Sequence, residues 1–197
     1  MEQTARLQND LKLGRPVLVR NKKKTSMIFA VETLKEYLTL QIRKNYLNSH
    51  LAISARRAKT LNAIAYDDDL ARIVIPKEAS HNWFISTANP ALDLAHPMKG
   101  PFKTMRSGEV EISRSAIKLC KKAQLLPAAL VVNLTEEAVD NYVFNNFLLQ
   151  DTSEILKENS HLSLLQEVSA ADLPLKGMTR SRVHVFRDSS GGSEHYA

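Results

Sequence analysis

Six histidines, one cysteine, a run of three aspartates and a run of three lysines are the residues of this chain whose types and spacing bear most directly on chemistry. The histidines are His50, His81, His96, His161, His184 and His195, and no two of them fall at an HExxH or HxH spacing. None therefore reads as half of a metal-ligand pair, and each reads as a surface or loop histidine. Cys120 shares a helical stripe with Ala116 and Ile117, where a cysteine behaves as a small hydrophobe. As the single cysteine it can form neither an internal disulfide nor a Cys-x-x-Cys metal pair. Asp67-Asp68-Asp69 has the charge to hold a hard cation, but it directly follows a helical pattern and reads as an exposed turn. The six glycines form neither GxGxxG nor GxxxxGK[ST], so the usual phosphate cradles are missing. Read residue by residue, the sequence offers no catalytic constellation.

Charge narrows the classes further. The net charge is +6, and residues 1–26 carry seven basic side chains against Glu2 and Asp10. The one run, Lys22-Lys23-Lys24, is short and has no interleaved aromatics, so it reads as a solvated loop and a nucleic-acid partner is not expected. Residues 1–14 lack the apolar centre of a signal peptide, and no stretch approaches the ~18 consecutive apolar residues of a membrane helix. A cytoplasmic protein with no membrane partner is the expectation.

The elements that must position these residues follow from periodicity. Pro16 opens a strand through Val19, and Met27–Val31 is a second apolar run that can pair with it. From Glu32, Leu34, Leu38, Ile42 and Tyr46 recur at helical spacing. Leu51–Ile53 predicts a strand, Ala58, Leu61 and Ala65 a helix, and Arg72–Ile75 a strand stopped by Pro76. Trp83-Phe84-Ile85 predicts another strand, and the proline-rich stretch 87–108 a loop. Ser113 stands where an N-cap belongs, ahead of a helix carrying Ala116, Ile117, Cys120 and Ala123. Ala128–Leu134 is a near-continuous apolar run, as a strand buried on both faces requires. Thr135 precedes Glu136 and Glu137 as a helix start, Ser153–Glu158 reads as a short helix and Leu162–Leu165 as a closing strand. This order predicts an α+β domain, three-layer α/β/α with a mixed sheet. SAADLP, residues 169–174, reads as a linker, and Arg182–Phe186 as a strand with a turn after it and nothing to pair against.

LKLGRPVLVR, SMIFAVETLKEYLTLQIRKNYLNSHLAISA and SAIKLCKKAQLLPAALVVNL together resemble dihydroxybutanone phosphate synthase of riboflavin biosynthesis. The likeness is spread over roughly residues 8–172. The segment after the linker, ADLPLKGMTRSRVHVFRDSSGGSEHYA, is similar to the opening of GTP cyclohydrolase II, including the Glu194-His195 pair. The resemblance implies a synthase-like domain over residues 1–168, a linker over 169–174 and the truncated start of a cyclohydrolase II-like domain over 175–197.

It also implies where the chemistry should be. The family converts ribulose 5-phosphate to formate and dihydroxybutanone phosphate, with magnesium and with carboxylates from an acidic loop. The matching stretch here is Arg20-Asn21-Lys22-Lys23-Lys24-Thr25-Ser26, without a carboxylate, and ammonium groups cannot ligate a divalent ion. The family's Gly-His-Thr-Glu motif falls at Glu111-Ile112-Ser113-Arg114, with Ile112 at the histidine position. Its glutamate after the buried strand is matched by Asn133. Catalytic residues are therefore expected to be absent, the degenerate positions being Lys22, Lys23, Lys24, Ile112 and Asn133. No cofactor is expected, since magnesium belongs to an active synthase and zinc to a complete cyclohydrolase, whose three cysteine ligands would lie beyond Ala197.

What remains is a non-catalytic domain expected to form a homodimer and to act as scaffold or dimerisation module for a GTP cyclohydrolase II domain. Two alternatives stay open. One is an active synthase using other residues, such as Glu32, Glu109 or Glu111. The other is a basic module binding nucleic acid or a phosphorylated ligand, with Lys22–Lys24 as an anion site.

Overall fold

A computed structural model describes residues 2–45, 49–144, 147–157, 165–174, 176, 181–188 and 194–197. These fall into two compact units that divide between Lys157 and Glu158. In the first unit the apolar runs assemble a six-stranded mixed sheet. Its strands are β1 (Val17–Asn21), β2 (Lys24–Ala30), β3 (Ser49–Ser54), β4 (Leu70–Val74), β5 (Ala128–Asn133) and β6 (Leu149–Asp151), in the spatial order β4-β3-β5-β2-β1-β6. Every pairing is antiparallel except β1 with β6. The β5 strand lies in the middle, as a run apolar on both faces must.

Alternation along the strands sends side chains to two cores. Phe29, Leu51, Ile73, Leu130 and Val132 enter one core, with Leu34 and Phe84. Val17, Val19, Ile28, Ala52 and Val131 enter the other, against α1 (Glu2–Lys12), α5 (Glu111–Lys122) and Ile155 of α7 (Thr152–Lys157). The fold is thus the α+β, three-layer arrangement with a mixed sheet. Among the described residues no helix is long and apolar enough to cross a membrane.

Several local expectations need correction. Trp83-Phe84-Ile85 is not a strand but lies in α4 (His81–Ala88), whose N-cap Ser80 accepts a hydrogen bond from the Trp83 N–H at 3.2 Å. Three apolar residues in a row cannot distinguish the two periods, and the cap decided. The helix expected from Glu32 is a 3-10 turn at Val31–Thr33, broken by the extended Leu34, followed by α2 (Glu36–Asn45); Tyr46 lies outside the described residues. The next helix, α3 (Ala55–Thr60), stops before Ala65 because Asn62 turns left-handed at φ 54°. Ser113 caps nothing: α5 starts two residues earlier and buries it. The N-terminal segment, not predicted as a helix, forms α1 with Leu7 and Leu11 buried one turn apart. Gly14 then turns at φ +71°, where a Cβ would stand 2.5 Å from the Thr33 carbonyl oxygen. The start of α6 (Glu136–Phe144) does follow Thr135, whose Oγ1 accepts from the Ala138 N–H at 3.4 Å.

The second unit is a three-stranded antiparallel sheet of β7 (Leu165–Asp172), β8 (Arg182–Asp188) and β9 (Glu194–Tyr196), with β8 in the middle. Most of the expected linker, Ser169–Asp172, is therefore strand, and the Arg182–Phe186 strand is paired on both sides. The closing strand expected at Leu162–Leu165 overlaps β7 only at Leu165, residues 162–164 lying outside the described residues, as does most of the turn after Asp188. Among the described residues of this unit none is fully buried.

Candidate functional site

Strand direction brings the positions singled out by the resemblance to one end of the larger sheet. The first residue of β2, Lys24, pairs with the last of β1, Asn21, so Lys22 and Lys23 alone form the turn between them. Lys22 takes φ 53° in that turn, and both side chains are exposed. At the same end β5 finishes at Asn133 opposite Ser26, and β3 begins at Ser49 and His50. The N-terminus of α5 approaches from the Val131 side. Together Lys24, His50, Arg72, Glu109, Ser113 and Asn133, with Ile112 on the wall, line a cleft of about 360 Å³. Lys24, Ile112 and Asn133, singled out from scattered parts of the sequence, thus meet at one site, whereas Lys22 and Lys23 stand at the hairpin tip.

The polar groups of the cleft are engaged with one another. The Oε1 of Glu109 accepts from Asn21 Nδ2 at 2.8 Å and from the Ile112 N–H at 3.2 Å, taking one of the backbone donors that a helix start leaves open. The Ser26 hydroxyl donates to Asn133 Oδ1 at 2.8 Å. Arg72, 1% exposed, makes a bidentate pair with Asp67 at 2.7 and 2.9 Å. Its Nη1 donates to the carbonyls of Ser107 and Glu109, at 3.3 and 3.2 Å. His50 Nε2 and Ser113 Oγ share a hydrogen bond of 2.8 Å. Burial, and then the Arg72 guanidinium, push His50 down to about 4, so the imidazole is neutral at pH 7.

Such an arrangement holds one carboxylate, Glu109, and a neutral imidazole, His50, whose Nε2 is engaged by Ser113. Magnesium does not fit these residues well: Lys24 and Arg72 are cationic, and the cleft's one carboxylate, Glu109, has its Oε1 taken by two donors. Among the described residues no group of three or more His, Cys, Asp or Glu is placed to hold a metal ion. Two of the three aspartates serve arginines instead, Asp67 binding Arg72 and Asp69 binding Arg114 at 2.7 and 2.9 Å. Of the alternative carboxylates, Glu32 lies at the other end of the sheet, accepting from the Leu126 N–H at 2.6 Å, and Glu111 pairs with Arg114 at 2.5 Å. Cys120 is fully buried and its thiol is pushed up to about 12 by that burial, as a packing residue would be.

Residue-level reading missed His50, Arg72 and Ser113 as cleft residues. A signal existed for His50, a lone polar residue at the mouth of an apolar strand. None existed for Arg72 or Ser113, whose partners are 5 to 63 positions away.

No family model matches the sequence, and no curated protein does. Solved structures do. The cation-free 3,4-dihydroxy-2-butanone 4-phosphate synthase superimposes with TM-score 0.57 at 12% identity, over 78% of this chain and 94% of that one. The synthase of Candida albicans gives 0.55 at 13% identity, over 79% and 96%. RibBX, a two-domain 3,4-dihydroxy-2-butanone 4-phosphate synthase from A. baumannii, gives 0.50 at 14% identity, over 98% of this chain and 68% of that one. The chain therefore has the fold of the 3,4-dihydroxy-2-butanone 4-phosphate synthases.

Proposed function

We propose that this chain is a non-catalytic synthase-like domain of riboflavin-biosynthesis type. Its retained role is to pair as a homodimer and to scaffold a GTP cyclohydrolase II domain whose opening is residues 175–197, with β8 and β9. The observation that carries the reading is the state of Glu109, held by Asn21 and the α5 N-terminus in a cleft otherwise lined by cations and neutral groups. Supporting it, the framework that the fold shares with the synthases is closed and apolar, from Phe29 to Val132, while no charged participant of the family's chemistry stands where the resemblance places it. The same logic assigns no magnesium and no zinc to this chain. Titration with manganese as a magnesium surrogate, followed by water-proton relaxation, tests this directly. The expected result is no saturable site at sub-millimolar ion. A stoichiometric site lost in Glu109→Gln would instead favour an active synthase using altered residues.

A further inference from the structure

The larger sheet does not stop at its edge strand β4. Residues 103–105 run antiparallel beside it through a single bridge, Thr104 opposite Ile73. The Val74 N–H donates to the Lys103 carbonyl and the Met105 N–H to the Arg72 carbonyl, both at 2.8 Å. These bonds flank the Thr104–Ile73 pair, which is therefore of the non-hydrogen-bonded kind, and the Thr104 N–H and C=O point away from β4. Among the described residues neither group has a partner. An unpaired edge of this kind is a template for another extended chain.

Beside that edge lies a groove of about 590 Å³. Ile64, Tyr66, Phe102 and Met105 give it an apolar wall, with Ile64 and Tyr66 exposed. Lys103 and Arg106 give it positive charge, and no carboxylate lines it. Only Val74 and Met105 are common to this groove and the cleft. Among the described residues neither the Lys103 nor the Arg106 side chain forms an ion pair. The Arg106 guanidinium lies 5.1 Å over the Tyr66 ring instead, a contact that holds the charge at the groove without neutralising it. The bonds to β4 fix residues 103–105, and Phe102 packs on Trp83 with ring centroids 6.2 Å apart. Little must be ordered on association, which lowers the cost of binding.

We propose that this edge docks an extended acidic segment of a partner protein. The segment pairs with Thr104 as an added strand, lays apolar side chains on Ile64, Tyr66 and Met105, and brings carboxylates to Lys103 and Arg106. The alternation of a strand supplies both kinds of side chain from one segment. A second copy of this edge is disfavoured, because it would set Lys103 and Arg106 against like charges. A nucleic acid would answer the cations but not the donor and acceptor that Thr104 presents at strand spacing. Docking here depends neither on the pairing of two chains nor on the state of the cleft.

A fluorescein-labelled peptide alternating glutamate and valine is the probe, titrated into the full chain and followed by anisotropy. Saturable binding at sub-millimolar peptide is expected. Affinity should fall roughly tenfold or more for the same peptide N-methylated throughout, for a lysine–valine peptide, and for Lys103→Glu/Arg106→Glu. Thr104→Pro removes the outward N–H and leaves both bonds to β4 in place, so it should weaken binding as much with an unchanged urea midpoint. Should that variant lose stability, hydrogen exchange of the Thr104 amide in the wild type, slowed roughly tenfold or more by the peptide, supplies the same test. No saturable binding up to millimolar peptide, equal affinity for the N-methylated peptide, or unchanged exchange at Thr104 overturns the proposal. Tighter binding of single-stranded oligothymidylate than of the acidic peptide overturns it in favour of a nucleic-acid surface.

Discussion

The two ends of the six-stranded sheet are built from the same strands and hold opposite kinds of contact. At the end where β2 finishes and β5 begins, Ala30 pairs with Ala129 and the neighbours are apolar, closed by the Glu32 carboxylate on the Leu126 N–H. At the other end Lys24, Ser26, His50, Arg72 and Asn133 gather on the α5 face, and every one of the cleft's charges except that of Lys24 has a protein partner assigned to it. Polar end groups that satisfy each other stabilise a cleft. The difference is that one end of the synthase-like fold is closed by apolar packing and the other by polar groups that hold one another.

The sharpest test of that separation is Arg72. If the cleft end is structural, Arg72→Met should cost about 3–5 kcal/mol, because the half-buried Asp67 loses the partner of a largely shielded ion pair; urea unfolding measures this. A loss under 1 kcal/mol would break the comparison. Leu130→Ala, in the middle of the framework, should cost about 2–5 kcal/mol by the same measurement, from lost burial and a residual cavity.

A smaller effect comes from His50. Its folded value of about 4 lies below the ordinary 6.5, so the unfolded chain binds the proton more readily. Stability is therefore full above pH 6.5, falls as pH drops through that value and levels off below about 4. Between pH 7 and pH 5 the expected loss is about 2 kcal/mol, absent in His50→Gln, as read from paired unfolding curves. Smallest of all, Lys22→Gly at the hairpin tip should leave stability unchanged or raise it by up to about 1 kcal/mol, since glycine accepts φ 53° without strain.

The same division explains what the sequence could tell. Ala128–Leu134 and Arg72–Ile75 were legible as strands because burial on both faces leaves a continuous apolar run, and the mixed three-layer fold followed from their order. Lys24, Ile112 and Asn133 were legible as one site only through the resemblance, because nothing in their spacing joins them. Trp83–Ile85 misled because a three-residue run carries no period, and Ser113 because a serine before an apolar stripe fits an N-cap as well as a buried partner for His50. The 169–174 segment misled through its composition: small and acidic residues can pair in a sheet when, as here, nothing must be buried beneath them.

The central claim is that the cleft end performs no synthase chemistry, and formate release from ribulose 5-phosphate in the presence of magnesium tests it most directly. The account predicts no formate above a heat-killed control, from the wild type and from Glu109→Gln alike. Magnesium-dependent turnover by the wild type that Glu109→Gln abolishes would contradict it.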